Sequence, residues 1–286
     1  MGWRVGRGGW SRRTYTVAAY LVLIPFLLFN LFPFVWIAIT SVKPNQDLYN
    51  PAQSPFALSR ITLEHYQFLF TKIAFPVWLR NSVVVSLAAT GISLVVGILT
   101  GYSLARLRFR GSTWTATGIF VTYLVPPALM FIPLAHVVRA LGLGNSPLAL
   151  IVTYPTFLVP FCSWMLMGYF KTIPKEIEEC AMMDGCGRIQ TLIRIVLPVS
   201  VPGLLSAGIF AFTLSWNEFL YALVFIQSEA RKTVPVGVVG QMVLGDVFFW
   251  GPLMAAALLG SLPVVLVYMF FQRYFVAGLT AGAVKG

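Results

Sequence analysis

Apolar residues fill six long runs of this chain, at about 15–41, 81–105, 114–138, 147–170, 201–226 and 252–272. Each approaches or exceeds the ~20 residues that a helix needs to cross the hydrocarbon core of a bilayer. The pattern predicts an all-α integral membrane protein with six transmembrane helices. Between the fourth and fifth runs, the stretch 171–200 breaks it with a charged, helix-forming segment. Pro174 suits the first turn of a short helix, Glu176, Glu178 and Glu179 favour its positive N-terminal end, and Gly185 suits its C-terminal cap. A second short helix follows over 187–197, with Ile189, Leu192, Ile193 and Val196 at three- and four-residue spacings and Arg188 and Arg194 on the polar side. Pro198 ends it.

The polar connections on the other side have a different texture. Residues 43–80 contain Pro44, Pro51, Pro55 and Pro76 and read as loop, with a short helix near 63–70. Residues 227–251 form a second such segment, marked by Val234-Pro235-Val236 and several glycines. Pro126, Pro127 and Pro133 in the third run, and Pro147, Pro155 and Pro160 in the fourth, predict kinked helices, because each proline frees a backbone carbonyl that neighbours or a polar cavity must satisfy. No repeat of solenoid length is visible, so one membrane domain, 15–276, is expected between tails at 1–14 and 277–286.

Composition agrees: 58% of the 286 residues are hydrophobic and 10% are charged, against about 25% charged in soluble domains. The net charge of +11 raises the possibility of nucleic acid, yet the cations occur in short clusters between apolar runs. Membrane orientation accounts for them. Arg4, Arg7, Arg12, Arg13, Arg106, Arg108, Arg110, Lys171, Lys175, Arg188, Arg194, Arg273 and Lys285 fall on one side, and Lys43, Arg60, Lys72, Arg80, Arg139, Arg231 and Lys232 on the other. The richer side is the cytoplasmic one, which places both termini and the 171–200 segment inside the cell. The first run is too long for a signal peptide and has no clear cleavage site, so it is expected to remain as an anchor. Cys162, Cys180 and Cys186 have neither the number nor the spacing of a disulfide framework or a zinc site.

Catalytic patterns are missing. No phosphate-cradling loop precedes Lys171-Thr172 or Lys232-Thr233, so no ATP site of that kind is expected, and no metalloprotease, hydrolase or lipid-phosphate motif occurs. Glu218, in Ser215-Trp216-Asn217-Glu218-Phe219, is the clear ionisable group inside an apolar run. Its burial implies a wet cavity, a partner subunit or a hydrogen-bonded network with Asn217. His136 lies near an outer end, without a second ligand one turn away, and reads as interfacial. The aromatic residues read as lipid contacts and interfacial anchors. For the 171–200 segment, an amphipathic helix lying on the inner leaflet is the plain alternative. The cluster of Glu176, Glu178, Glu179 and Asp184 argues against it, because an anionic surface favours cations. Docking into another protein, through a basic residue of that partner, fits the charge.

These residues also carry a resemblance. Glu179-Cys180-Ala181, three residues, Gly185, nine residues, then Ile195-Val196-Leu197-Pro198 closely resembles the EAA loop of ABC importer permeases, Glu-Ala-Ala, x3, Gly, x9, Ile-x-Leu-Pro. Cys180 for alanine is the one departure. Ser41-Val42-Lys43-Pro44, Asn81-Ser82, Ser215-Trp216-Asn217-Glu218-Phe219 and the C-terminal run from Gly278 to Gly286 resemble MalG-like permeases of carbohydrate importers, so the likeness covers nearly the whole chain.

The resemblance implies a type I importer permease fold in a bacterial or archaeal cell membrane. It implies four kinds of neighbour: a homologous second permease, two cytoplasmic ATPase subunits, an extracytoplasmic sugar-binding protein and the lipid bilayer. ATP and Mg would be bound by the ATPase subunits, and this chain would be a transport subunit without cofactor, metal or nucleic acid. Glu178, Glu179, Ala181, Asp184, Gly185, Ile195, Leu197 and Pro198 would couple it to the ATPase, with Glu179 the acidic contact and Gly185 the break between coupling helices. The tail from about Ala277 would approach the same ATPase pair. Trp216, Asn217 and Glu218 are expected along the translocation pathway. Three other readings stay open: an ABC permease for a non-sugar solute, an ion-coupled carrier using Glu218, and a membrane scaffold or enzyme for which the 179–198 spacing is coincidence.

Overall fold

The structure, a computed structural model, describes residues 12–283 apart from 53, 55 and 108, and the side-chain surroundings of residues 16–272. Arg4, Arg7, Arg108 and Lys285, counted above as inner-side charges, lie outside the described residues, as do 1–11 and 284–286 of the two tails.

Fifteen helices and one small hairpin follow one another among the described residues. They are α1 (Arg12–Ser41), α2 (Asn45–Leu48), α3 (Glu64–Thr71), α4 (Phe75–Arg106), α5 (Ser112–Leu124), α6 (Pro127–Ala140), α7 (Pro147–Thr153) and α8 (Pro155–Phe170). Next come α9 (Lys175–Met183), α10 (Arg188–Thr191), a π turn (Leu192–Val196), α11 (Leu197–Val199), α12 (Val201–Trp216) and α13 (Leu220–Phe225). A 3₁₀ turn (Glu229–Arg231), α14 (Val234–Met242), β1 (Val243–Leu244), β2 (Val247–Phe248) and α15 (Trp250–Ala283) complete the chain.

Among the described residues, four helical stretches are long and apolar enough to cross a membrane: Thr16–Ser41, Phe75–Arg106, Pro147–Phe170 and Trp250–Gln272. The third expected span is instead two helices, α5 and α6, bent by 97°. Val125 is extended, and Pro126 and Pro127 follow it without N–H groups, so the helical ladder cannot continue through them. The run expected as one span over 201–226 is also divided. Helix α12 ends at Trp216, and α13 begins at Leu220 after a break. At its start α12 meets the Arg188–Val199 stretch at 80°. The expected loop 227–251 contains α14 and an antiparallel hairpin pairing Val243 with Phe248 and Leu244 with Val247.

Helix α4 is the hub. Its inward stripe is made of small residues, Ser82, Ser86, Ala89, Thr90, Ser93, Gly97 and Gly101. In a bilayer, where apolar burial drives little association, such residues let backbones approach closely. A Cβ on Gly97 would stand 2.6 Å from Cys162 Cβ, and one on Gly101 would stand 3.0 Å from Met167 N, so α4 and α8 meet backbone to backbone. One core, with Val85, Leu150, Tyr154, Leu158, Cys162 and Tyr221, gathers around this pair. A second joins Leu69, Phe75 and Trp78 to Val234, Val238 and Met242 near the start of α4. The third, Tyr102, Leu166, Phe170, Ile173, Leu192, Val196 and Ala207, lies beneath the charged 171–200 segment.

Candidate functional site

The 171–200 segment forms two short helical pieces around a glycine. Helix α9 ends in a Schellman motif: Cys186 N–H donates to Ala181 O at 3.0 Å and Gly185 N–H to Met182 O at 3.1 Å. That closure needs a left-handed residue, and Gly185 has φ +87°. The chain then restarts at Gly187, whose N–H donates to Gln190 Oε1 at 3.0 Å, and it runs through the π turn into Leu197-Pro198.

The two pieces are held from beneath. Ala181, Thr191, Leu192 and Val196 are buried, and Ile195 and Leu197 are half-buried. The stripe expected to carry Ile189, Leu192, Ile193 and Val196 together is split. Leu192 and Val196 enter the third core, while Ile189 and Ile193 face outward at 74% and 57% exposure. The reason is angular: a pair four apart shares a face, and pairs offset by one residue are rotated by about 100°. Glu178 and Glu179, expected together among the contacts to a partner, are parted in the same way. Glu179 is exposed with Asp184, Gly185 and Pro198, whereas Glu178 is 4% exposed.

Glu178 is satisfied within the chain. Arg106 Nε donates to its Oε1 at 2.6 Å, and Tyr102 hydroxyl donates to its Oε2 at 2.9 Å. Arg106 Nη2 also donates to Ile173 O at 2.7 Å. The last turn of α4 thus grips the first turn of α9 and Ile173, two residues before it. Removing one partner from such a buried pair costs about 3–5 kcal/mol, because the other charge is left uncompensated. The sequence reading did not join Arg106 to Glu178; nothing local links residues so far apart in the chain.

The second candidate cluster is dispersed. Trp216 is buried, and its Nε1 donates to Gly260 O at 3.1 Å. Asn217 is exposed and donates through Nδ2 to Thr213 O at 2.9 Å rather than joining Glu218. Glu218 sits in the break between α12 and α13. Its Oε1 accepts from Tyr221 N–H at 2.7 Å and its Oε2 from Ala222 N–H at 3.1 Å. Both oxygens accept backbone N–H groups at the start of α13, so the break explains why a carboxylate occurs in an apolar run. Beside it, a cavity of about 490 Å³ is lined by Phe34, Trp216, Asn217, Phe219, Val238 and Ser261.

Near the start of α4, the Asn81-Ser82 pair ties down the 227–251 segment. Asn81 Nδ2 donates to Ala230 O and Lys232 O, each at 3.0 Å, and Ser82 Oγ accepts from Val234 N–H at 2.8 Å. Asn145, with φ +54°, accepts from Gln227 and Ser228 N–H at 3.1 and 2.9 Å. His136 is exposed. The buried histidine is His65, whose ring Nε2 lies 2.8 Å from Lys43 O and whose face covers Gly251. Among the described residues no group of three His, Cys, Asp or Glu side chains could hold a metal ion.

A multi-pass helical body with a firmly seated charged segment at one end of α4 and a tied-down polar segment at the other has the architecture of an integral membrane subunit. Comparison with known proteins narrows it. Residues 93–281 match the family model described as "Binding-protein-dependent transport system inner membrane component". The chain belongs to that family. It is 38% identical over 281 residues to the inner membrane ABC transporter permease protein YcjP of Escherichia coli K12, covering 96% of this chain and 99% of that one. It is 34% identical to the trehalose/maltose transport system permease protein MalG of Thermococcus litoralis, covering 90% and 92% of the two chains. In fold it is similar to a chain of a bacterial ABC transporter involved in the import of the acidic polysaccharide alginate. There the TM-score is 0.78 at 21% identity, over 93% of this chain and 99% of that one.

Proposed function

We propose that this chain is the permease subunit of an ATP-driven carbohydrate importer, and that 175–199 is its docking segment for a cytoplasmic ATPase. The observation that carries the docking assignment is the separation of Glu178 from Glu179. One carboxylate seats α9 on the membrane body and the next is free at the surface, beside Asp184 and the exposed apolar side chains of Met182, Met183, Ile189 and Ile193. An acidic, partly apolar helix pair on a rigid base suits a groove with a basic residue.

In this reading the neighbours are a homologous second permease, two ATPase subunits that bind ATP and Mg, and an extracytoplasmic binding protein. Support for a sugar comes from the trehalose/maltose relative. Both termini face the cytoplasm, with a membrane domain at 15–276 between tails at 1–14 and 277–286, and Ala181, Gly185, Ile195, Leu197 and Pro198 shape the docking segment. Closure of the ATPase pair moves α9, and with it the body, so that the cavity opens outward; hydrolysis resets it. Trp216 and Asn217 line that path, and Glu218 shapes it by holding the break.

Glu179→Lys tests the assignment. The variant is expected to insert in the membrane at the parental level while the ATPase subunit no longer co-purifies and uptake of sugar falls to background. Parental uptake by Glu179→Lys sinks it.

A further inference from the structure

We propose that α4 is a rigid strut that carries movement between the ATPase-facing and the outer, binding-protein-facing sides of the molecule; this rests on the importer reading above. The two ends of α4 are bonded to different things. At the inner end, Tyr102 and Arg106 hold Glu178 of α9, and Arg106 also holds Ile173 O. At the outer end, Trp78 Nε1 donates to Glu229 O at 2.7 Å, Asn81 binds Ala230 and Lys232, and Ser82 takes the first N–H of α14. The Trp78 ring also lies where a Cβ on Gly237 would be, 2.3 Å from its nearest atom, so α14 rests directly on it.

Between these ends the helix runs without a break. Its 32 residues span about 48 Å at ~1.5 Å each, well beyond the ~30 Å hydrocarbon core, so both sets of bonds lie near or outside the membrane faces. Its proline, Pro76, is confined to the first turn, whereas α1, α6, α8 and α15 have prolines inside them. Of its three glycines, Gly97 and Gly101 are covered by the backbone of α8, and Gly91 lies open two turns nearer the outer end. A displacement of α9 therefore reaches the 229–237 segment with little loss, and loading of the outer segment reaches α9 by the same path.

The test uses the complete transporter in lipid vesicles, with ATP hydrolysis measured with and without sugar-loaded binding protein. Asn81→Ala and Arg106→Ala stand about 38 Å apart along α4, far beyond the range at which independent substitutions interact. Each is expected to cut the stimulation by binding protein about five-fold or more while the ATPase subunits still co-purify. The double variant is expected to be no worse than the weaker single variant, because either end alone breaks the same path. The exchange Arg106→Glu with Glu178→Arg is expected to restore at least half of the stimulation lost, which separates a lost contact from a misfolded chain. The strut is overturned if either single variant keeps full stimulation, if the double loss equals the product of the two, or if Arg106→Ala simply loses the ATPase subunits. Absence of stimulation in the parent protein would overturn the importer reading itself.

Discussion

The carboxylates of Glu178 and Glu179 leave α9 about 100° apart, as consecutive helical residues must, and this rotation gives two like groups opposite surroundings. Gly185 and Glu218 are comparable cases in which one residue resolves a backbone problem. At Gly185 the left-handed conformation closes the Schellman motif, and a Cβ there meets no atom within 4 Å. The cost of substitution is therefore conformational, about 1–2 kcal/mol for an L residue. Gly185→Ala is expected to reduce uptake partially, with Gly185→Asn retaining more, as read by transport in vesicles at matched protein level. For Glu218, each hydrogen bond from a backbone N–H to the carboxylate contributes about 1.5–3 kcal/mol. Glu218→Ala is expected to lower the melting temperature of the purified protein. Glu218→Gln lowers it less, since its amide oxygen keeps one of the two bonds.

At the scale of elements, the contact between α4 and α8 decides how the bundle is assembled. The Gly97-x-x-x-Gly101 spacing marks the place where the two backbones touch. Gly97→Ala adds a carbon 2.6 Å from Cys162 Cβ, and such overpacking costs about 1–3 kcal/mol. Gly91, on the same helix, has nothing within 4 Å of an added Cβ. Gly91→Ala is thus expected to match or exceed the parent in thermal stability in detergent, where Gly97→Ala falls below it. The broken elements follow the same logic of backbone satisfaction: Pro126-Pro127 interrupts one ladder, and the break after Trp216 is capped by Glu218.

For the whole molecule, the excess of Lys and Arg on one side predicts that α9 lies in the cytoplasm. Cys180 of α9 is exposed and Cys162 is buried between helices. A membrane-impermeant maleimide is expected to label Cys180 in inverted vesicles and to leave it unlabelled in right-side-out vesicles of the isolated permease; the reverse result would invert the topology. In the assembled transporter the same thiol is expected to be shielded by the ATPase.

Features that depend on local composition and spacing could be read directly from the chain. The six apolar runs, the charge asymmetry, the spacing from Glu179 to Pro198 and the glycine break belong to this group, because hydrocarbon thickness, helix period and left-handed geometry act on a few neighbouring residues at a time. Asn81-Ser82 was noticed as a pattern, but its use was not legible: its partners lie about 150 residues away, at Ala230, Lys232 and Val234. The same holds for Arg106 and Glu178, for the buried His65 and for the split of Ile189 from Leu192. Which of two adjacent acidic residues is bonded inward, and which ends of one helix are tied to which segments, depends on packing between elements distant in sequence. The chain alone determined a multi-pass membrane subunit with a charged, glycine-broken segment of definite length between its fourth and fifth apolar runs. The tertiary structure alone decided how that segment is anchored, because only there do the ends of α4 meet α9 on one side and the 229–237 segment on the other.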